Sequence, residues 1–228
     1  MKIRNAYKFL FTIPLLFGFA TTGHAQGGWF GGDDEYRPSL LLQPSEITFA
    51  GPTPMDGQNL QLLLSLPNGL GELQRQASAQ FEAHLQNEIQ AHLTELFNDE
   101  EIPLVENSGE LVLDSAVEIS IRQQIREVKK FDRYDSERGS LKVYGKFRYT
   151  LRDRQGAMLD QQQVDLEKLG VERRYLTRTP RDGGMVEDST GPAVEKVLSD
   201  LVDEIIDVVE DRLEAGKLQQ LALKTQSP

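Results

Sequence analysis

Residues 141–151 read LKVYGKFRYTL. Leu141, Val143, Gly145, Phe147, Tyr149 and Leu151 take alternate positions, and Lys142, Tyr144, Lys146, Arg148, Thr150 and Arg152 take the others. Side chains of a β-strand point alternately to its two faces, so a period of two sorts this stretch into an apolar face and a basic one. The apolar face needs a core to bury it and the basic face stays open, which is the habit of an antiparallel sheet covered on one side. Asp153, Arg154, Gln155 and Gly156 follow as a hairpin turn, and residues 158–169 return as the partner strand, with a bulge where their alternation slips.

Working outward, residues 111–128 read as one or two strands, with Val117, Ile119 and Ile121 alternating with Glu118, Ser120 and Arg122. Residues 131–139 read as a charged loop. Residues 40–50 read as a strand broken at Pro44, and Leu60, Leu62, Leu64 and Leu66 suggest another, stopped by Pro67, Asn68 and Gly69. Residues 70–97 carry Leu73, Ala77, Phe81, Leu85, Ile89, Leu93 and Leu96, one stripe of a long helix. Residues 173–191 read as a polar functional or mobile loop. Pro192 fits the first position of a second helix, with Gly191 or Thr190 capping. That helix runs to Leu213, with a continuation to Leu223 left open, and its stripe is Val194, Val197, Leu198, Leu201, Ile205, Val208, Val209 and Leu213. Strands, a long helix, more strands and a long helix predict an α+β two-layer sandwich, a mostly antiparallel sheet packed on two long amphipathic helices.

The chain begins with Lys2, Arg4 and Lys8, an apolar run over residues 9–20 (FLFTIPLLFGFA) and a small-residue site ending at Ala25. This order predicts a cleaved secretory signal peptide. The run is interrupted by Pro14 and Gly18 and falls short of the ~20 apolar residues of a membrane span. Residues 1–25 are therefore expected to be removed, 26–38 to form a flexible leader, 39–216 a single domain and 217–228 a polar tail. The expected location is a bacterial periplasm, with the extracellular space second. No later segment reads as a transmembrane span.

The chain has no cysteine. That removes thiol catalysis, iron–sulfur and thiolate–zinc sites, and the lipidated cysteine of a bacterial lipoprotein. The formal charge is −11. Taking Lys2, Arg4 and Lys8 off the 25 basic residues leaves 22 against 36 acidic ones, or −14. The charge is unevenly placed. Residues 122–181 hold 16 basic and 9 acidic residues, whereas 182–216 hold 11 acidic and 2 basic. Arg122, Arg126, Lys142, Tyr144, Lys146, Arg148 and Arg152 are the candidate site, a basic sheet face with an aromatic among its charges. In an exported chain such a face suits anionic lipid, an anionic glycan or an acidic protein surface, and nucleic acid is not expected. Its bland alternative is a solvated face whose charges prevent edge aggregation. The acidic second helix suits a basic partner, a second copy of this chain among the candidates.

Catalytic motifs do not emerge. His84, Glu88 and His92 share a helix face, but i to i+8 spans ~12 Å, too far for one metal ion to be held by all three. No Gly-x-Ser-x-Gly elbow is present, Gly183 and Gly184 lack the Lys-Ser/Thr of a phosphate-binding loop, and residues 132–137 (DRYDSE) lack the glycine and spacing of a calcium loop. The chain is expected to be no enzyme and to need no cofactor and no metal.

The element order over residues 40–213, with the strand pair SLKVYGKFRYTLRDRQGAMLD at 140–160, resembles small bacterial envelope accessory proteins. These are the peptidoglycan-synthase activator lipoproteins, the curli-secretion lipoprotein domain and the lipopolysaccharide-assembly lipoprotein that plugs its outer-membrane partner. The resemblance implies a non-catalytic domain that docks on an envelope protein, and it carries no residue assignment. Those proteins bear a lipidated cysteine, which this chain lacks.

Overall fold

The computed structural model describes residues 36–55 and 68–225. The signal-peptide and strand expectations at 1–25 and 60–66 lie outside them. Two strands of 20 residues each, β3 (Leu111–Lys130) and β4 (Tyr134–Asp153), form an antiparallel hairpin at the centre of the sheet. On β3, Leu111, Leu113, Val117, Ile119 and Ile121 are buried, and on β4 Leu141, Val143, Phe147, Tyr149 and Leu151. Register sets Leu113 against Leu151, Val117 against Phe147 and Ile121 against Val143. The period of two thus becomes one continuous apolar face.

Each long strand carries two short strands on its other edge. β1 (Leu40–Leu42) and β2 (Glu46–Ala50) pair with β3 in parallel, and β5 (Met158–Asp165) and β6 (Glu172–Pro180) pair antiparallel with the two halves of β4. β7 (Glu187–Asp188) extends β6, giving seven strands among the described residues. Parallel pairing needs a crossover, which α1 (Gly69–Asp99) supplies between β2 and β3. The second long helix, α2 (Thr190–Leu213), lies beside α1 on the same sheet face. Gln80 meets Glu195, His84 meets Ser199 and His92 meets Asp203, so the two helices run in the same direction. The fold is the α+β sandwich expected.

Several local expectations are corrected. The charged loop at 131–139 shrinks to a turn, closed by a hydrogen bond from Phe131 N to Tyr134 O at 2.9 Å, and the rest belongs to β4. Residues 173–191 are no loop over most of their length. β6 gains its place from backbone pairing with β4, and Tyr175 is its one side chain in the core. The second helix starts at Thr190, where Asp188 Oδ1 accepts the Thr190 N–H at 2.9 Å. Pro192 therefore sits inside the first turn, where N–H groups have no intrahelical partner to lose. Val208 is 41% exposed whereas Val202 is fully buried. Ile205, Val209 and Leu213 are spaced by four, and each such step turns by about 40° beyond a full circle, which carries the buried stripe past Val208. The helix breaks at Glu214, and α3 (Ala215–Thr225) sets Leu218 and Ala222 into the common core. The stretch expected to be a polar tail thus contributes to packing.

Candidate functional site

The sheet face away from the helices holds the candidate residues in register. Arg122 stands opposite Lys142, Ser120 opposite Tyr144, Glu118 opposite Lys146 and Ala116 opposite Arg148. The Arg122 guanidinium lies 4.8 Å from the centre of the Tyr144 ring, a cation–π distance.

Charge divides this face in two. Towards the C-terminal end of β4, Lys146 pairs with Glu118 at 3.1 Å and Arg152 with Asp114 at 3.1 Å. Arg148 and Arg152 line a shallow cavity of about 310 Å³ together with Glu46 and Asp114. Carboxylates from β2 and β3 thus answer the cations here. Such exposed pairs contribute little to stability, about 0–1 kcal/mol each, and they leave this half a mixed surface.

The N-terminal half of β4 is different. Arg138 and Arg174 join Arg122, Arg126 and Lys142 there. Arg174 stands opposite Ser140, and Arg138 lies two residues before it on the same face. Glu127 stands opposite Arg138 and Glu172 opposite Lys142, and Glu167 lines a cavity together with Lys142 and Glu172. Lys129 holds Glu127 at 2.7 Å, and the Glu127 carboxyl lies below its ordinary pKa because of that hydrogen bond, with the charges of Lys129 and Arg138 adding to it. Arg126 donates to Glu172. Among the described residues Arg138, Lys142 and Arg174 have no ion pair. A cavity of about 410 Å³ is lined by Arg126, Glu127, Arg138, Arg174 and Leu176 among others.

Arg138 and Arg174 were missed because they fall in the stretches read as loops. An available signal was the alternation of 134–142, hidden because Gly139 and Ser140 stand where an apolar–polar contrast would show.

Elsewhere, His84 Nε2 lies 3.4 Å from Ser199 Oγ, and His92 lies 3.8 Å from Glu88 and 3.7 Å from Asp203, all at the seam of α1 and α2. No group of three metal-ligating side chains occurs among the described residues. No helix among them is long and apolar enough to cross a membrane.

No protein-family model and no curated protein sequence matches the chain. Solved structures similar to it include bacterial lipoproteins and a hemagglutinin homolog. A neuraminyllactose-binding hemagglutinin homolog from Helicobacter pylori is 10% identical, with a TM-score of 0.47 over 81% of this chain and 90% of that one. A minor lipoprotein from Acinetobacter baumannii is 13% identical, with a TM-score of 0.34 over 77% of this chain and 94% of that one. A lipoprotein from Neisseria meningitidis is 15% identical, with a TM-score of 0.17 over 75% of this chain and 99% of that one. Likeness at this level assigns neither activity nor ligand.

Proposed function

We propose that this chain is an exported, non-catalytic accessory protein of a bacterial cell envelope that docks on another envelope protein. The observation that supports docking is the far end of the β3–β4 hairpin. Gln123 reaches Thr190 at the start of α2 with a 3.5 Å hydrogen bond, and β3 continues beyond that point. Ile125, Val128 and Phe131 follow, with exposures of 59%, 58% and 42%. The Phe131 and Tyr134 rings stack at 4.7 Å, and Arg178 lies 5.9 Å from the Tyr134 ring centre. Clustered exposed apolar side chains rimmed by charge are a usual mark of a protein interface, and aromatic residues and arginine are its usual anchors.

The test places a photo-crosslinking amino acid at Val128, Phe131 or, as control, the equally exposed Leu70 at the start of α1. Full-length chain is expressed in its native cells and irradiated. A discrete adduct with one envelope protein from positions 128 and 131, and none from 70, is the expected outcome. Equal labelling from all three positions, or none from any, overturns the reading.

The second reading, binding of an anionic glycan or lipid through the basic sheet face, is favoured by one observation, the cluster of Arg122, Arg126, Arg138, Lys142 and Arg174. This reading keeps Arg122, Arg126 and Lys142 of the face expected from sequence, adds Arg138 and Arg174, and leaves out Tyr144, Lys146, Arg148 and Arg152.

A further inference from the structure

We propose that the arginine cluster around Ser140 is a phosphate-binding site, and that the Glu172 carboxylate is its resting occupant. Ser140 is fully buried, and its Oγ has no hydrogen-bond partner. It stands between Gln124 of β3 and Arg174 of β6, on the face opposite the core residue Leu141. Arg138 and Lys142 are its neighbours along that face. Adjacent strands lie about 4.8 Å apart and successive same-face positions about 6.6 Å. Arg138, Lys142 and Arg174 therefore all start within one side-chain length of the Ser140 hydroxyl.

Arg126 completes the arrangement. It sits at the bulge of β3 between Ile125, which faces Gly139, and Glu127, which faces Arg138. Its partner Glu172 is on β6, opposite Lys142. The register sets Arg126 beside Gly139 and Arg138, and Glu172 opposite Lys142, so the contact between them spans β4 near Ser140. A carboxylate thus already occupies the guanidinium that an incoming anion would use.

The donor set identifies the anion. Planar guanidinium forks, an ammonium and a hydroxyl outnumber what the two oxygens of a carboxylate accept, and they suit the three or four oxygens of a phosphate. Glu127 is already engaged by Lys129, so Glu172 is the group to be displaced. The adjoining cavity of about 410 Å³ leaves room for the body that carries the phosphate, a sugar or a lipid headgroup. This inference goes beyond docking through the hairpin end. Phosphate binding can fail while crosslinking at Phe131 persists, and the reverse.

The test titrates the purified chain with glycerol 3-phosphate and sediments it with vesicles of phosphatidylglycerol in phosphatidylcholine, against phosphatidylcholine alone. Arg138→Glu and Arg174→Glu are each expected to weaken binding at least ~10-fold. Arg154→Glu, the same charge change in the turn at the other end of β4, should alter it less than ~3-fold. Glu172→Gln should tighten binding several-fold by freeing Arg126, and Glu187→Gln should not. Ser140→Ala, with its fold verified by circular dichroism, should weaken binding without changing its salt dependence. Binding of the soluble ester alone points to a soluble phosphorylated ligand, and binding of anionic vesicles alone to a lipid headgroup; either supports the site. No binding of either probe overturns it. So does equal weakening by Arg154→Glu and Arg138→Glu, or an unchanged affinity in Glu172→Gln.

Discussion

The Tyr149 hydroxyl donates a 2.7 Å hydrogen bond to Asp160 Oδ2, and Arg212 of α2 reaches Oδ1 of the same carboxylate at 3.1 Å. One carboxylate on β5 therefore ties the central strand to the helix above it. Tyr149 is almost wholly buried, so its hydroxyl depends on this partner. A hydrogen bond to a charged group contributes about 1.5–3 kcal/mol, and Tyr149→Phe should cost that much in denaturant unfolding. Arg212→Ala removes an exposed guanidinium from a half-buried carboxylate and should cost less than Tyr149→Phe. Equal losses from the two variants would show that the hydroxyl is not the anchor.

The same bond sets a limit at alkaline pH. Burial raises the Tyr149 and Tyr175 pKa values well above the ordinary 10, helped by the hydrogen bonds to Asp160 and Glu137 and by their charges. Both hydroxyls stay protonated in the folded chain at a pH where the unfolded chain ionises. Their contribution is complete below pH 10 and falls as pH rises from 10 towards the folded values, by about 1.4 kcal/mol per pH unit for each tyrosine. Unfolding midpoints measured between pH 8 and 11.5 should show this fall in the natural chain and a shallower one in a Tyr149→Phe, Tyr175→Phe variant. An identical slope in both would refute the assignment.

Gly145 sits in the middle of β4 with φ +132°, and a Cβ placed there would lie 2.0 Å from the Glu118 carbonyl oxygen of β3. Backbone strain and backbone overlap act together, so Gly145→Ala should destabilise by more than about 3 kcal/mol. Gly156, in the β4–β5 turn at φ +88°, has open space around its Cα. There only the conformational cost of a left-handed residue remains, about 1–2 kcal/mol for alanine. A Gly145→Ala protein as stable as the Gly156→Ala protein would mean that β3 and β4 are not packed in this register.

Much of the sheet was legible because apolar and charged residues alternate cleanly at Val117–Ile121 and at Leu141–Leu151, where one face meets helices and the other meets water. β6 was not, because only Tyr175 of its side chains enters the core and the strand is held by main-chain bonds to β4, which leave no mark on composition. The charge balance of the candidate face was only partly legible for a related reason. Lys146 and Arg152 read as free cations along one strand, but Glu118 and Asp114, which answer them, come from another part of the chain and become neighbours only through pairing. Arg138 and Arg174 join Arg126 only after a bulge and a second strand pairing, neither of which has a local signature.

The end of the chain offers the sharpest contrast between composition and packing. Residues 217–225 are rich in Lys and Gln, yet Leu218 is fully buried and Ala222 nearly so. Glu100 at the end of α1 accepts the Ala215 N–H at 2.8 Å, which fixes where α3 begins and turns its apolar side onto the core. Leu218→Ala should therefore cost about 2–4 kcal/mol, as at an interior site. Gln220→Ala, on the exposed side of the same helix, should stay within about 0.5 kcal/mol of the natural chain. Removing residues 217–228 should lower the unfolding midpoint at least as far as Leu218→Ala does. A truncated chain that unfolds at the natural midpoint would show that α3 rests on the domain without stabilising it.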